Sequence, residues 1–254
     1  MGRKRLAGVF GMLADGESRE AFDHARGRHD GRPVAGGDPF VAWAALGQLA
    51  DQVGAGQLGL EQLENLIRSH GSKGDCMLKG ALRRPLVNES RAQKSDRLAL
   101  NGLLVLDFDA ITLPRQIVRA KKLNSSDVQL IAEQIIADLP TDLHDVSYIA
   151  QASASLGLKG NRISMHIFML LTVPMPPKSI KLWLQNLNYA VPVFKDQLEL
   201  SANGQSLKYP VDVSVADNSK LIFIAPPTFE DPTQNPFTSD ADRIVRVVRA
   251  NASF

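Results

Sequence analysis

The sequence predicts an α+β (α/β) fold, a central sheet flanked by helices, and three observations carry that prediction. Three strongly apolar segments, Leu103–Leu106, Ile163–Val173 and Leu221–Ala225, are each stopped by proline or polar residues. Between them lie stretches whose apolar residues recur at helical spacing, such as Val128, Ile131 and Ile135. Strand-like and helix-like periods alternate along the chain, which is the pattern of a layered α and β domain.

In order, residues 1–37 are rich in Gly, Arg and Asp, and Ala25–Gly37 has almost no apolar content, so a poorly ordered extension is expected there. Asp38-Pro39 supplies an N-cap and a first-turn proline for a helix using Phe40, Trp43, Leu46 and Leu49. Glycines at 54, 56 and 59 interrupt it before a second helix around Leu60–Ile67. From Gly71 to Asp96 the chain is polar and basic (Lys73, Lys79, Arg83, Arg84, Arg91, Lys94) and reads as loop with room for one short strand. The strand at 103–109 is closed by Pro114; Ser126-Asp127 opens a helix that ends near Pro140. Val146–Ala152 alternates as a strand, and a Ser/Gly/Lys/Asn loop leads into Ile163–Val173. Ile180–Leu187 and Val193–Leu200 read as helices, Leu221–Ala225 as a strand, and Asp240–Arg249 as a short helix or an edge strand. Residues 38–254 are expected to form one domain.

Composition narrows the function classes. At 254 residues, with 44% hydrophobic and 22% charged residues, the chain is ordinary for a soluble globular protein. A net charge of +2 gives no bulk attraction to nucleic acid, so any such binding must come from local patches. The single Cys76 excludes an internal disulfide and a Cys-rich zinc site, and the five histidines show no ligand spacing. No apolar run reaches the roughly 18–20 residues of a membrane span, and Met1–Leu13 lacks a cleavage signal, so an intracellular, cytoplasmic location is expected.

Chemistry concentrates at Leu103-Leu104-Val105-Leu106-Asp107-Phe108-Asp109. On a regular strand Asp107 and Asp109 share a face, roughly 7 Å apart. Two like charges at the end of a buried strand call for a cation between them, and carboxylate oxygens favour Mg²⁺ or Mn²⁺ over zinc. A strand ending in two solvated acids is the plainer alternative. On the second apolar strand, Arg162, Ser164 and His166 alternate onto one face, a cation, a hydroxyl and an imidazole suited to an anionic ligand such as a triphosphate. Asp212, between Val211 and Val213, offers a third carboxylate; Asp217 suits a capping or solvated role, and Lys220 either an edge position or a phosphate contact.

Together these segments resemble the archaeo-eukaryotic primase (primase-polymerase) superfamily, and phage and plasmid primase domains in particular. Leu103–Asp109 matches the apolar run followed by Asp-x-Asp. Ser164-Met165-His166 matches Ser-x-His on an apolar strand, with Arg162 where members often carry a base. Val211-Asp212 matches the third acid, with Lys220 where a phosphate-binding base commonly follows. The separations are 57 residues from Asp109 to His166 and 46 from His166 to Asp212, and the likeness spans roughly residues 70–230.

The resemblance implies a mixed or antiparallel central sheet of RRM-like type. It implies a DNA primase or polymerase, a nucleotidyltransferase that makes or extends primers on single-stranded DNA in a bacterium or phage-infected host. Asp107, Asp109 and Asp212 would hold two Mg²⁺ or Mn²⁺ ions; Arg162, Ser164, His166 and Lys220 would contact the nucleoside triphosphate. Zinc is not expected, and a helicase would act in trans or belong to a fused region. Two other readings stand beside this one. One is a catalytically silent primase-like module that binds DNA. The other is a haloacid-dehalogenase-type phosphatase with Asp107 as nucleophile, from which the chain departs at Ala110, where glycine is expected, and in lacking a later Asp-Asp pair.

Overall fold

A computed structural model describes residues 57–80, 83, 94–96, 98–113, 122–158 and 160–249. The N-terminal extension, the helix expected from Asp38, Pro114, Arg84 and Arg91 lie outside these residues. The fold is α+β with antiparallel sheets and four α-helices among the described residues. Helices are α1 (Gln57–Gly71), α2 (Ser125–Asp138), α3 (Pro177–Ala190) and α4 (Pro192–Lys195). Strands are β1 (Cys76–Leu78), β2 (Asn101–Ile111), β3 (Tyr148–Ala152), β4 (Ile163–Met175), β5 (Glu199–Leu200), β6 (Leu207–Lys208), β7 (Leu221–Phe223) and β8 (Ile244–Val247).

The main sheet runs β2-β4-β3-β8, antiparallel throughout. Its long central pair explains the unbroken apolar runs: Leu103–Leu106 and Ile167–Met169 are buried at every position, so both faces of the sheet are covered. Alternation shows by what. Arg246 of β8, opposite Ile149, reaches Glu64 of α1 at 2.9 Å. Tyr148, one residue along and so on the other face, lies beside Glu133 of α2; burial first, then that carboxylate, pushes its phenol well up.

Each helix forms where local signals and an apolar stripe agree. In α2, Asn124 and Asp127 make a reciprocal capping box, two residues ahead of the expected start. Val128, Ile131, Ala132, Ile135 and Ile136 then face the sheet. Pro177 opens α3, which buries Ile180, Leu184, Leu187 and Asn188. The helix expected over Val193–Leu200 is corrected: only Pro192–Lys195 is helical, and Glu199–Leu200 pairs with Leu207–Lys208 as a hairpin. Phe194 is the apolar residue there that is fully buried, 5.7 Å from the Phe108 ring, with Val193 packed at the core's margin, while Leu200 stays exposed, so no buried stripe extends the helix.

A small second sheet, β1 with β7, frames the site. Cys76, Leu78 and Leu221 form their own cluster, whereas Met77 and Ile222 turn into the main core. The pairing continues one step beyond the strands, Lys79 N–H donating to the Lys220 carbonyl at 3.1 Å. Asp240–Arg249 resolves into both expected forms, a 3₁₀ turn over Asp240–Arg243 followed by edge strand β8. Among the described residues no helix is long and apolar enough to cross a membrane.

Candidate active site

Antiparallel register places Asp107 of β2, His166 of β4 and Gln151 of β3 side by side in one row across three strands. His166 is 6% exposed, and its Nε2 lies 3.3 Å from Asp107 Oδ1. Its other ring nitrogen, Nδ1, faces Gln151 Oε1 at 3.5 Å. Gln151 Nε2 donates to the Ile224 carbonyl at 2.7 Å, and that bond fixes which amide atom meets the imidazole. The residue therefore orients His166, and sequence reading missed it. Its signal was there: one polar side chain inside the otherwise apolar Tyr148–Ala152. Phe168, two residues along the same face, closes on the ring edge-on at 5.9 Å.

The second acid does not simply repeat the first. A register shift lies between Phe108 and Ile111, so that Asp109 and Ala110 together stand opposite Ser164. Ala110 has φ of 57°, a left-handed conformation uncommon for any residue with a Cβ. The bulge turns Asp109 out to solvent. Ser164, 3% exposed, accepts the Ala110 N–H at 3.0 Å, which satisfies the donor that the bulge removes from the ladder.

Asp212 arrives on the far edge of β2. Val211 bridges Phe108, and Asp212 N–H donates to the Asp107 carbonyl at 2.8 Å, so the two acids leave neighbouring backbone positions. Asn188, fully buried in α3, holds this segment in place: its side chain accepts from Val211 N–H at 2.9 Å and donates to the Val211 carbonyl at 3.0 Å. Sequence reading did not single out Asn188; an amide on the buried stripe of α3 was the available signal.

The Asp212 carboxylate is fully engaged. It caps the 3₁₀ turn Val213–Ala216, accepting from Ser214 N–H at 2.7 Å and from the Ser214 hydroxyl at 2.8 Å. Lys220 Nζ donates to it at 2.9 Å. Burial raises its pKa, but the bonds from Lys220 and Ser214 and the lysine charge outweigh that and hold the carboxyl below its ordinary range. Asp217 pairs with Lys181 at 3.5 Å and is half exposed, in keeping with a turn acid.

Of the seven expected site residues, the structure gathers Asp107, His166, Asp212 and Lys220 around one end of β2, with Ser164 at the bulge. Arg162 lies just before β4, exposed, with no ion pair among the described residues. Lys79, read from sequence as part of a polar basic loop, is instead 0% exposed. As the side chains stand, no three His, Cys, Asp or Glu among the described residues are close enough to hold a metal ion. Asp107 faces His166, and Asp212 faces Lys220. No protein-family model, no curated protein and no solved structure matches this chain.

Proposed function

We propose that this chain is a template-dependent nucleotidyltransferase, a DNA primase or polymerase of the primase-polymerase type. The observation that carries the reading is the junction of Asp212 N–H with the Asp107 carbonyl, beside a His166 paired to Asp107. It brings two distant acids, 105 residues apart in sequence, to one strand end. Topology supports it as well. From β2 the order is strand, helix, strand, strand, helix, and then, after the short α4 and the β5–β6 hairpin, the Val211 segment bridged to the outer edge of β2. That β-α-β-β-α-β path, with β4 between β2 and β3, is what an RRM-like core requires.

Asp107, Asp109 and Asp212 are hard oxygen donors, whose chemistry fits Mg²⁺ or Mn²⁺ and not zinc, and Asp109, turned out at the bulge, would have to swing back to join the other two. Such ions, when bound, supply charge stabilisation at the attacking 3′-hydroxyl and the pyrophosphate leaving group. For Asp212 to serve as a ligand its carboxylate must turn from Lys220, which frees that ammonium for the triphosphate. His166 and Ser164 alternate onto one face of β4, and Arg162, exposed just before that strand, would offer a further cation for phosphate oxygens. Gln151 holds the imidazole in place.

The test is incorporation of labelled nucleotides on a single-stranded DNA template, with and without a primer, in Mg²⁺ or Mn²⁺. Wild-type protein is expected to give short products, and Asp107→Ala combined with Asp109→Ala to abolish them. The pairing of Asp107 with the His166 imidazole and of Asp212 with Lys220 favours a second reading, a silent primase-like module that binds DNA. Template binding without product under every metal and nucleotide condition would select it.

A further inference from the structure

Beside Asn188, which holds Val211, two tyrosines meet. Tyr189 follows it at the end of α3, 45% exposed, and Tyr209 precedes Val211 by two residues. The rings meet edge to face, centroids 6.1 Å apart and planes at 79°, and their hydroxyls lie 3.1 Å from one another. Of the four faces of two such rings, an edge-to-face contact covers one. The polar tips meet each other, Tyr189 keeps aromatic surface open to solvent, and Tyr209 is half-buried beside it.

The position of this pair is what gives it meaning. Tyr209 is three residues from Asp212, at most about 10 Å along extended chain. Lys208, the next residue back, is exposed and only loosely paired, 3.8 Å from an exposed Glu199. Leu200 and Leu207, paired across the β5–β6 hairpin, expose 66% and 41% of their surface. An aromatic platform with an adjacent cation, beside a set of acids, matches the needs of single-stranded nucleic acid, whose bases stack on aromatic faces while phosphates seek cations.

We propose that Tyr189 and Tyr209 form a base-stacking platform for single-stranded DNA that leads to the carboxylate site. The proposal rests on the nucleotidyltransferase reading for its direction, but it concerns binding and is tested without catalysis. The probe is a short fluorescein-labelled oligothymidylate, its affinity for the full chain followed by anisotropy in the absence of metal and nucleotide. Tyr189→Ala and Tyr209→Ala are each expected to weaken binding by roughly 5- to 100-fold, while Tyr209→Phe, which keeps the ring, stays near wild type. Tyr209→Leu keeps apolar volume without a π-face and is expected to fold as wild type, by circular dichroism, yet bind like the alanine variant. With 5-iodouracil in the oligonucleotide, photo-crosslinking is expected to map to Tyr189 or Tyr209.

Unchanged affinity in both alanine variants, crosslinks elsewhere, or no binding by the wild-type protein would each overturn the platform. Primer synthesis that survives those variants would leave the enzyme reading standing and remove this one. Tyrosine-dependent binding by a protein that makes no product would do the reverse.

Discussion

The Asp107–His166–Gln151 row and the polar cluster around Lys79 both carry polar side chains into the interior, on opposite terms. Along the row each group meets a counterpart: carboxylate to imidazole, imidazole to amide, amide to the Ile224 carbonyl. Its outer end is open, Asp107 keeping 23% of its side chain exposed. Around Lys79 the structure is closed. The Lys79 ammonium is fully buried with no hydrogen-bond partner among the described residues, as are Ser95 Oγ and Asn101 Oδ1. Asn218 is well served, donating to the Asp96 and Ala99 carbonyls and accepting from Asn101, and Gly80 packs against it so closely that a Cβ there would sit 2.3 Å from the Asn218 Cβ. Polar groups that meet both partners and solvent can exchange them for a ligand. Polar groups sealed without partners only destabilise, or wait for something that opens the cover.

The largest test of this contrast is Lys79→Met. Burial brings the Lys79 amine down to about 7, with the Asp217 charge pulling weakly the other way. Because the folded value lies below the unfolded one, the unfolded chain holds the extra proton between about pH 7 and 10.5. Stability therefore rises with pH through that window and carries the full penalty below it. At about 1.4 kcal/mol per pH unit the penalty amounts to several kcal/mol, an upper bound for a site that can relax. Methionine fills the same space without charge, so the variant is expected to unfold at higher denaturant near pH 7 and to lose the slope toward pH 10. Destabilisation by this change would mean that the amine has a partner in solution, and the contrast between the two regions would fall.

What the sequence made legible follows the same division. Strands β2, β3, β4 and β7 were visible because aliphatic runs bounded by proline or polar residues have few other places to go, and α2 because cap and stripe agreed. The acids, His166 and Ser164 stood out because each interrupts an apolar strand. Long-range pairing was not legible. Nothing local in Ile244–Val247 says that it edges β3, and nothing in Lys79 says that β7 seals it in; both depend on register between segments far apart in sequence. The bulge was hidden for a different reason. Regular alternation would put Asp107 and Asp109 on one face, and only the Phe108/Ile111 shift against β4 separates them.

That bulge gives a smaller test on the site's side of the comparison. Ala110 in the left-handed region costs roughly 1–2 kcal/mol relative to a residue without a Cβ. Ala110→Gly removes the strain and leaves the N–H bond to Ser164 intact, at the cost of a more flexible unfolded chain. A net gain of about 0.5–1 kcal/mol is expected in denaturant unfolding. A loss would show that the conformation is unstrained here, and that the open region stores less than its geometry implies.

The smallest expected effect separates partnering from charge. Asn caps a helical turn about as well as Asp, so Asp212→Asn keeps the bond to Ser214 N–H and removes the carboxylate charge together with the second acceptor oxygen that Lys220 and the Ser214 hydroxyl share. Both side chains are about one-third exposed, 34% and 32%, which limits the loss at neutral pH to about 0.5 kcal/mol. Its sign against pH is fixed by the depressed folded pKa of Asp212: the contribution is complete above the ordinary carboxylate range and disappears as pH falls through the folded value. Wild type and variant should thus differ at neutral pH and converge in acid, measured as unfolding midpoints across that range. A gap that persists in acid would place the stabilisation in the hydrogen bonds to Ser214 and not in the lysine charge. Lys220 would then leave Asp212 at little cost, as the proposed exchange from ammonium to metal requires.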